Sequence, residues 1–463
     1  MSIRRKNRTL PQGGGFLEVL KVALPLILSS SCHALNMFVD RLMLARYSQE
    51  AVSAAFTSGL TNFTLSCILV GTISYVGTFV AQYEGARHRE RIGAAVWQGI
   101  WLALGGWVLF GTGIWWAEPL FQLFGHDPAV TQQEVQYFQV LSAGIVVLFL
   151  NSVLPCFWTG RGKTSFVLAI SAVITLCNIP LNYAMIFGHF GFPEMGILGA
   201  AWGTILAEVI GITIYCCVFF APSARRHYRT DCWKLEPELM KRLLRFGFPN
   251  GANLALDLLA FNIFSVVLGC YGVSEHEASS ITFGINNIAF CPVLGMSTTA
   301  SILVGQAIGA ENVPLARKSV RSCLQLVFFY NVLMILLFTV FQDLVLSPFV
   351  RPGDPGQAEA LRISGLMLYF IACYLLFDGF NLVFSNALRG AGDTQFTMYT
   401  MMSVGLLCFA LPSVLLYLAG LPWWTLWIAM IVDIILLAAI FGLRFRQGKW
   451  TRMRVIEMPA MPE

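Results

Sequence analysis

The chain has 463 residues, of which 57% are Ala, Val, Ile, Leu, Met, Phe, Trp, Tyr or Cys and only 12% are Asp, Glu, Lys or Arg. Soluble domains carry roughly 25% charged residues, and the mean hydropathy here is +0.68. A water-soluble globule, a disordered chain and a disulfide-stapled secreted domain are excluded, which leaves an integral membrane protein carrying a net charge of +5.

A helix needs roughly 20 mostly apolar residues to cross a bilayer. Twelve stretches satisfy this, at about 17–45, 54–81, 93–116, 136–159, 165–187, 196–220, 246–270, 279–308, 320–343, 361–388, 396–418 and 423–444. They are called spans 1 to 12 below. Span 1 follows a basic RRKNR and a GGG that resemble the start of a signal peptide. No small-residue cleavage site follows and the apolar run is too long, so it is read as a retained helix. The runs are continuous rather than alternating, which disfavours a β-barrel.

Lys and Arg sort these spans. One set of connections holds Arg4, Arg5, Lys6 and Arg8, then Arg87, Arg89 and Arg91, then Arg161 and Lys163. To the same side belong seven bases between Arg225 and Arg245, then Arg317, Lys318, Arg321 and Arg389, and five from Arg444 to Arg454. The opposite side has only Arg46, Arg351 and Arg362. The asymmetry places both termini in the cytoplasm of a bacterial-type plasma membrane. It also accounts for the net positive charge without a nucleic-acid partner. The twelve Cys form no C-x-x-C and sit mostly in apolar runs, as small hydrophobes do.

The two halves repeat. Leu24-Pro25 matches Phe248-Pro249, and VAQYEGA at 80–86 matches VGQAIGA at 304–310, both with an offset of 224. GRGKTSF at 160–166 matches GAGDTQF at 390–396, and an insertion of about six residues near Arg351–Gln357 accounts for the change in offset. Six spans per half means both halves enter the membrane from the same side, as parallel repeats. Transporters built this way place their site between the lobes and rock them for alternating access; a duplicated channel is the bland alternative. The expected organisation is a tail at 1–16, an N-lobe at 17–220, a linker at 221–245, a C-lobe at 246–445 and a tail at 446–463. GRGKTS at 160–165 resembles a phosphate-binding loop, but Phe157 stands where its leading glycine belongs and no strand precedes it.

Charge inside hydrocarbon costs at least about 2.5 kcal/mol on insertion scales, so Asp40, Glu208, Asp257, Asp378 and Asp433 need partners or a task. His33, Asn36 and Asp40 share one face of span 1, and Asn250, Asn253 and Asp257 one face of span 7. Span 10 carries Tyr374, Asp378, Asn381 and Ser385. In span 5, Asn178 and Asn182 flank Pro180, whose ring frees a backbone carbonyl. Such hard oxygen donors suit a proton or an alkali ion, while the plainer reading of the asparagines is interhelical hydrogen bonding. A carboxylate desolvated in this way can exchange a proton near neutral pH. His33 is a second titratable candidate or a packing residue. Glu208 is a candidate for interhelical bonding, and Asp433 stands alone among apolar neighbours. Phe56, Phe261, Phe264, Phe283 and Met296 are candidates for an apolar cavity, although core and lipid-facing aromatics look alike in sequence.

With these residues in view, the chain resembles the multidrug and toxic compound extrusion (MATE) family, in its NorM-type branch. The carrying segments are LPLILSS at 24–30, FVDRLMLA at 38–45, VAQYEGA at 80–86, LFGHDPAVTQQEVQYF at 123–138, NIPLNYAMIFG at 178–188, GILGAAWGT at 196–204 and NALRGAGDTQF at 386–396. The resemblance implies an all-α integral membrane protein, with twelve transmembrane helices in two parallel six-helix pseudo-symmetric lobes. It implies export of drug-like compounds against inward Na⁺ or H⁺, with Asp40, Asp257 and Asp378 matching the branch's acidic positions and Na⁺ possible at Asp257 and Asp378. Asp257 replaces the branch's usual Glu, and Asn182 stands where another branch carries Asp.

The expected coupling residues are therefore Asp257, Asp378, Asp40 and Asn178. Asn36, His33, Asn182, Asn253, Tyr374 and Asn381 are expected to support the cavity. The expected partners are a small drug-like molecule and membrane lipids, with no cofactor, and the expected state is a monomer. The alternative is a lipid-linked oligosaccharide flippase, ranked second because the embedded charges are mainly acidic, with Arg41 the exception. No nucleophile–base pair or metal-ligand spacing points to an enzyme.

Overall fold

The computed structural model describes residues 14–349 and 355–457. Arg4, Arg5, Lys6, Arg8 and Arg351, counted above, lie outside the described residues, as does most of the segment assigned to the repeat's insertion. Eleven described helices are long and apolar enough to cross a membrane, and a bent pair completes twelve. Spans 1 to 6 are Phe16–Tyr47, Gln49–Gly85, Glu90–Phe110, the pair Pro128–Ala143 and Ile145–Thr159, Thr164–Phe187 and Ile197–Phe219. Spans 7 to 12 are Pro237–Gly269, Ser274–Gly309, Val313–Val340, Glu359–Ala391, Thr394–Leu418 and Trp424–Gln447.

Local chemistry sets the ends. Ser48 alone separates spans 1 and 2, and its hydroxyl accepts from the Ala51 N–H at 3.0 Å, capping span 2. Asp127 caps span 4 through Ala129, with Pro128 in the first turn. Gly188 ends span 5 at φ +72°, a left-handed conformation that favours glycine.

Four spans depart from the sequence expectation. Span 2 is interrupted at Tyr75, just after Ser74 turns its hydroxyl onto the Gly71 carbonyl at 3.0 Å. Span 3 stops at Phe110, and Gly111 and Thr112 separate it from a short helix, Gly113–Gln122. Span 4 begins eight residues early, because the polar Gln-Glu stretch buries Glu134 against His126 at 2.9 Å. It then bends by 46° at Gly144, where a Cβ would meet Ile205 of span 6 at 2.5 Å. Span 7 begins at Pro237, burying Leu239 and Leu243, so the last nine residues of the expected linker belong to the span.

The lobes meet through the halves of spans 1, 2, 7 and 8 nearest the basic loops. Gly71 and Gly251 let spans 2 and 7 touch, since a Cβ on Gly71 would lie 2.5 Å from the Gly251 Cα. The repeat's identical glutamines form a reciprocal clasp. Gln82 donates to the Gly390 carbonyl at 3.1 Å, and Gln306 donates to the Gly160 carbonyl at 2.8 Å. Each reaches the same loop of the opposite lobe, which is what a parallel repeat with a two-fold-like axis requires.

The segment after span 12 covers this clasp. The Val455 N–H donates to Gln82 Oε1 at 2.9 Å, and Val455 and Ile456 are buried against the N-lobe core. Arg454 pairs with Glu311 of the C-lobe at 2.9 Å, while Glu457 approaches Arg91 and Arg242, each at 3.6 Å. Truncation after Arg452 is expected to speed amide hydrogen exchange in segments 80–86 and 304–310 several-fold. Unchanged exchange there would show that the seam closes without the strap.

Candidate functional site

In the N-lobe, spans 1, 5 and 6 bring four polar side chains into a ring. Asn182 Nδ2 donates to Asp40 Oδ1 and lies 3.4 Å from Asn178 Oδ1. Asn178 Nδ2 reaches Thr204 Oγ1, and that hydroxyl reaches Asp40 Oδ2, both at 3.4 Å. Asn178 and Asn182 are buried, whereas Asp40 is half-buried, so one edge of the carboxylate remains accessible. Tyr137 of span 4 interacts electrostatically with Asp40. Three of the four ring members were legible as an Asp and a Pro-flanked Asn pair. Thr204 was not, because a lone Thr in an apolar run carries no signal.

Gly203 makes this ring possible. A Cβ there would sit 2.0 Å from Asn182 Oδ1, and that oxygen is buried with no hydrogen-bond partner. An orphan acceptor one bond from the amide that holds Asp40 is a site where a cation or proton donor would be welcomed. Gly203→Ala is expected to push Asn182 off Asp40, cost about 1–3 kcal/mol as overpacking, and reduce export at least tenfold. Thermal unfolding and vesicle transport on the same preparation check both halves of this outcome.

In the C-lobe, Asp378 of span 10 interacts electrostatically with Asp257 of span 7, with Asp433 of span 12 and with the Asn381 side chain. Asp257 is exposed, Asp378 half-buried and Asp433 buried. Arg389 interacts with Asp257, and its Nη1 lies 3.4 Å from Asn250 Oδ1. Arg389 belongs to the end of span 10 rather than to a loop, and sequence reasoning counted it only among the loop bases. At about 1.5 Å rise per residue, Asp257 stands roughly 9 Å beyond the Gly251 crossing, and Asp378 roughly 18 Å beyond Gly390. Both carboxylates therefore lie on the side of the seam away from the basic loops.

Other residues of the expected stripes take different work. Asn250 donates to the Gly71 carbonyl at 2.7 Å and thereby ties the two lobes. Asn253 is buried and reaches Thr397 Oγ1 of span 11 at 3.2 Å. Tyr374 is buried in the C-lobe core, and Ser385 bonds the Leu382 carbonyl of its own helix. Asn36 Oδ1 is buried without a partner, and His33 is exposed. Glu208 accepts from Asn151 of span 4, as interhelical bonding requires. Phe264 and Met296 are core residues, whereas Phe56 and Phe261 are exposed and Arg41 lies 5.3 Å from the Phe56 ring centroid.

Two six-helix lobes with carboxylates facing between helices define a membrane transporter rather than a soluble receptor. The MatE family model matches residues 25–184 and 249–414, one segment in each lobe. The chain belongs to the MATE family of multidrug efflux transporters, in its NorM-type branch. It is 26% identical over 450 residues to a probable multidrug resistance protein NorM of Thermotoga maritima, covering 96% of this chain and 95% of that protein. It is likewise 26% identical over 442 residues to a protein of the same name from Pseudomonas putida, covering 93% and 94%. Among solved structures, it superposes on a MOP superfamily transporter of Pyrococcus furiosus with a TM-score of 0.85 at 18% identity, covering 96% of this chain and all of that one. An outward-facing multidrug resistance MATE transporter matches with a TM-score of 0.84, also at 18% identity and with the same coverage.

Proposed function

We propose that this protein is a secondary antiporter that exports lipophilic, mostly cationic compounds in exchange for Na⁺ or H⁺. It works in a bacterial-type plasma membrane with its basic face and both termini in the cytoplasm. The observation that carries this reading is the position of Asp257 and Asp378, which interact electrostatically from spans 7 and 10, beyond a closed seam. With the basic face inside, the closed clasp corresponds to a carrier open to the outside. Asp257 and Asp378 then take up the coupling cation, while Asp40, held by Asn182 and Thr204 and backed by Asn178, supplies the N-lobe counterpart. Neutralising these carboxylates weakens their hold on a cationic amphiphile and favours its release outward. The same neutralisation removes buried charge, which favours return of the ion-loaded carrier through the apolar interior.

Ethidium efflux from proteoliposomes, with Na⁺ and H⁺ gradients imposed separately, tests the reading. Export driven by one gradient establishes antiport and names the ion. No movement under either gradient overturns it in favour of the lipid-linked oligosaccharide flippase. That alternative needs a basic cavity to hold a pyrophosphate, yet Arg389 interacts with the Asp257 carboxylate and lies beside Asn250, and the other embedded charges are mainly acidic, with Arg41 the exception.

A further inference from the structure

Asp433 neighbours the two-carboxylate site described above but has no role in the reading given for it, and its chain neighbours give it no reason to be charged. It lies on span 12 between the buried Met430 and Leu437, one turn to either side. Span 12 packs directly along span 10, the helix that carries Asp378. Only 6% of Asp433 is exposed, and its Oδ1 is buried without any hydrogen-bond partner. A side chain serving only as structural glue would have found a donor, since an unsatisfied buried acceptor costs about 1–3 kcal/mol. Instead, it interacts electrostatically with Asp378 and lies in the field of Asp257.

The charged and titratable groups around it are few. Span 7 offers Asp257; span 10 offers Tyr374, Asp378 and, farther toward the basic face, Arg389. Span 11, which also packs on span 12, carries Tyr399, Cys408 and Tyr417, and neither a carboxylate nor a base. When all three carboxylates are ionised, the one guanidinium leaves two negative charges uncompensated among these groups. Among the described residues no three His, Cys, Asp or Glu side chains are grouped so as to hold one metal ion. A single chelated cation therefore does not answer the charge; two separate positive charges do.

We infer that Asp433 is a third coupling carboxylate of the C-lobe, so that two monovalent cationic charges enter per exported molecule, one at Asp257 and Asp378 and one at Asp433. This rests on the antiport reading above and adds the stoichiometry and the residue that sets it. The shared chemistry is a monovalent cation, Na⁺ or a proton, bound without any covalent step. When both charges are in place the lobe is neutral and can reorient through the membrane interior.

The test is a reversal-potential measurement on proteoliposomes of the full chain, with ethidium as the exported probe. Na⁺ and H⁺ gradients are varied in separate arms, and wild type is compared with D433N, D433E and D257N. The expected result is two coupling charges per ethidium in wild type and in D433E, and one in D433N. The arm in which D433N loses its charge tells whether Asp433 takes Na⁺ or a proton. Two charges in D433N, or one already in wild type, would overturn the proposal and leave the antiport reading intact. Gradient-driven export that survives at full strength in D257N would instead overturn the underlying site assignment. Asparagine is isosteric and removes a buried charge; should D433N fail to yield monodisperse protein, D433S carries the decision: one charge per ethidium, with folding intact, supports the role, and two reject it.

Discussion

Replacing Asp257 or Asp378 with asparagine is expected to lower gradient-driven export by at least tenfold while leaving the protein folded. The expectation follows from where the two groups stand. Asp378 is half-buried beside Asn381 with no cation of its own to strand, whereas Asp257 is exposed and interacts with Arg389. At Asp378, asparagine preserves the shape and removes only the charge, which lifts a desolvation cost rather than adding one. Thermal stability should therefore hold or rise in D378N, and change little in D257N, as export falls. Unfolding measured on the same preparation separates this from misfolding. A variant that loses stability and activity together would point to a structural carboxylate.

Opening the glycine crossings should have a comparably large effect by a different route. A Cβ on Gly85 would lie 2.0 Å from the Gln306 carbonyl oxygen, and one on Gly309 would lie 2.0 Å from the Gln82 carbonyl oxygen. Both obstacles are backbone, so no side chain can swing away and the two helices must separate. Gly85→Ala combined with Gly309→Ala is expected to destabilise the closed seam by about 1–3 kcal/mol per site, where 1.4 kcal/mol is tenfold in population. Spin labels introduced at Glu90 and Arg317, exposed residues on opposite lobes, should report a longer mean distance than in the parent. An unchanged distance distribution would show that the crossing does not hold the seam.

The fold was legible because hydrocarbon imposes a simple rule: each crossing segment must be apolar and satisfy its own backbone. Apolar runs therefore placed all twelve spans, and the identical Gln82 and Gln306 announced the repeat that the structure shows as a reciprocal clasp. Breaks inside spans were harder. Gly144 looks like any membrane glycine until Ile205 is seen pressing against it. The candidate site was legible as a set of residues and not as a set of contacts. Spacing puts Asn250, Asn253 and Asp257 on one face, yet the first two bond the N-lobe and span 11 respectively, and only Asp257 is exposed. A helical face is about three residues wide, and which neighbour each residue meets depends on helix rotation and crossing, which periodicity does not encode. Thr204 and Arg389 were missed for the same reason: the first is unremarkable within span 6, and the second sits where a loop base was expected.

The central claim is that cation and exported molecule displace one another at shared carboxylates. It is tested most directly by adding ethidium to the purified, full-length protein in a weakly buffered solution and recording released Na⁺ and H⁺ with ion-selective electrodes. The account predicts release of cation in step with ethidium binding, greatly reduced in D257N and D378N. Saturable ethidium binding that releases neither ion at any Na⁺ concentration or pH would contradict it.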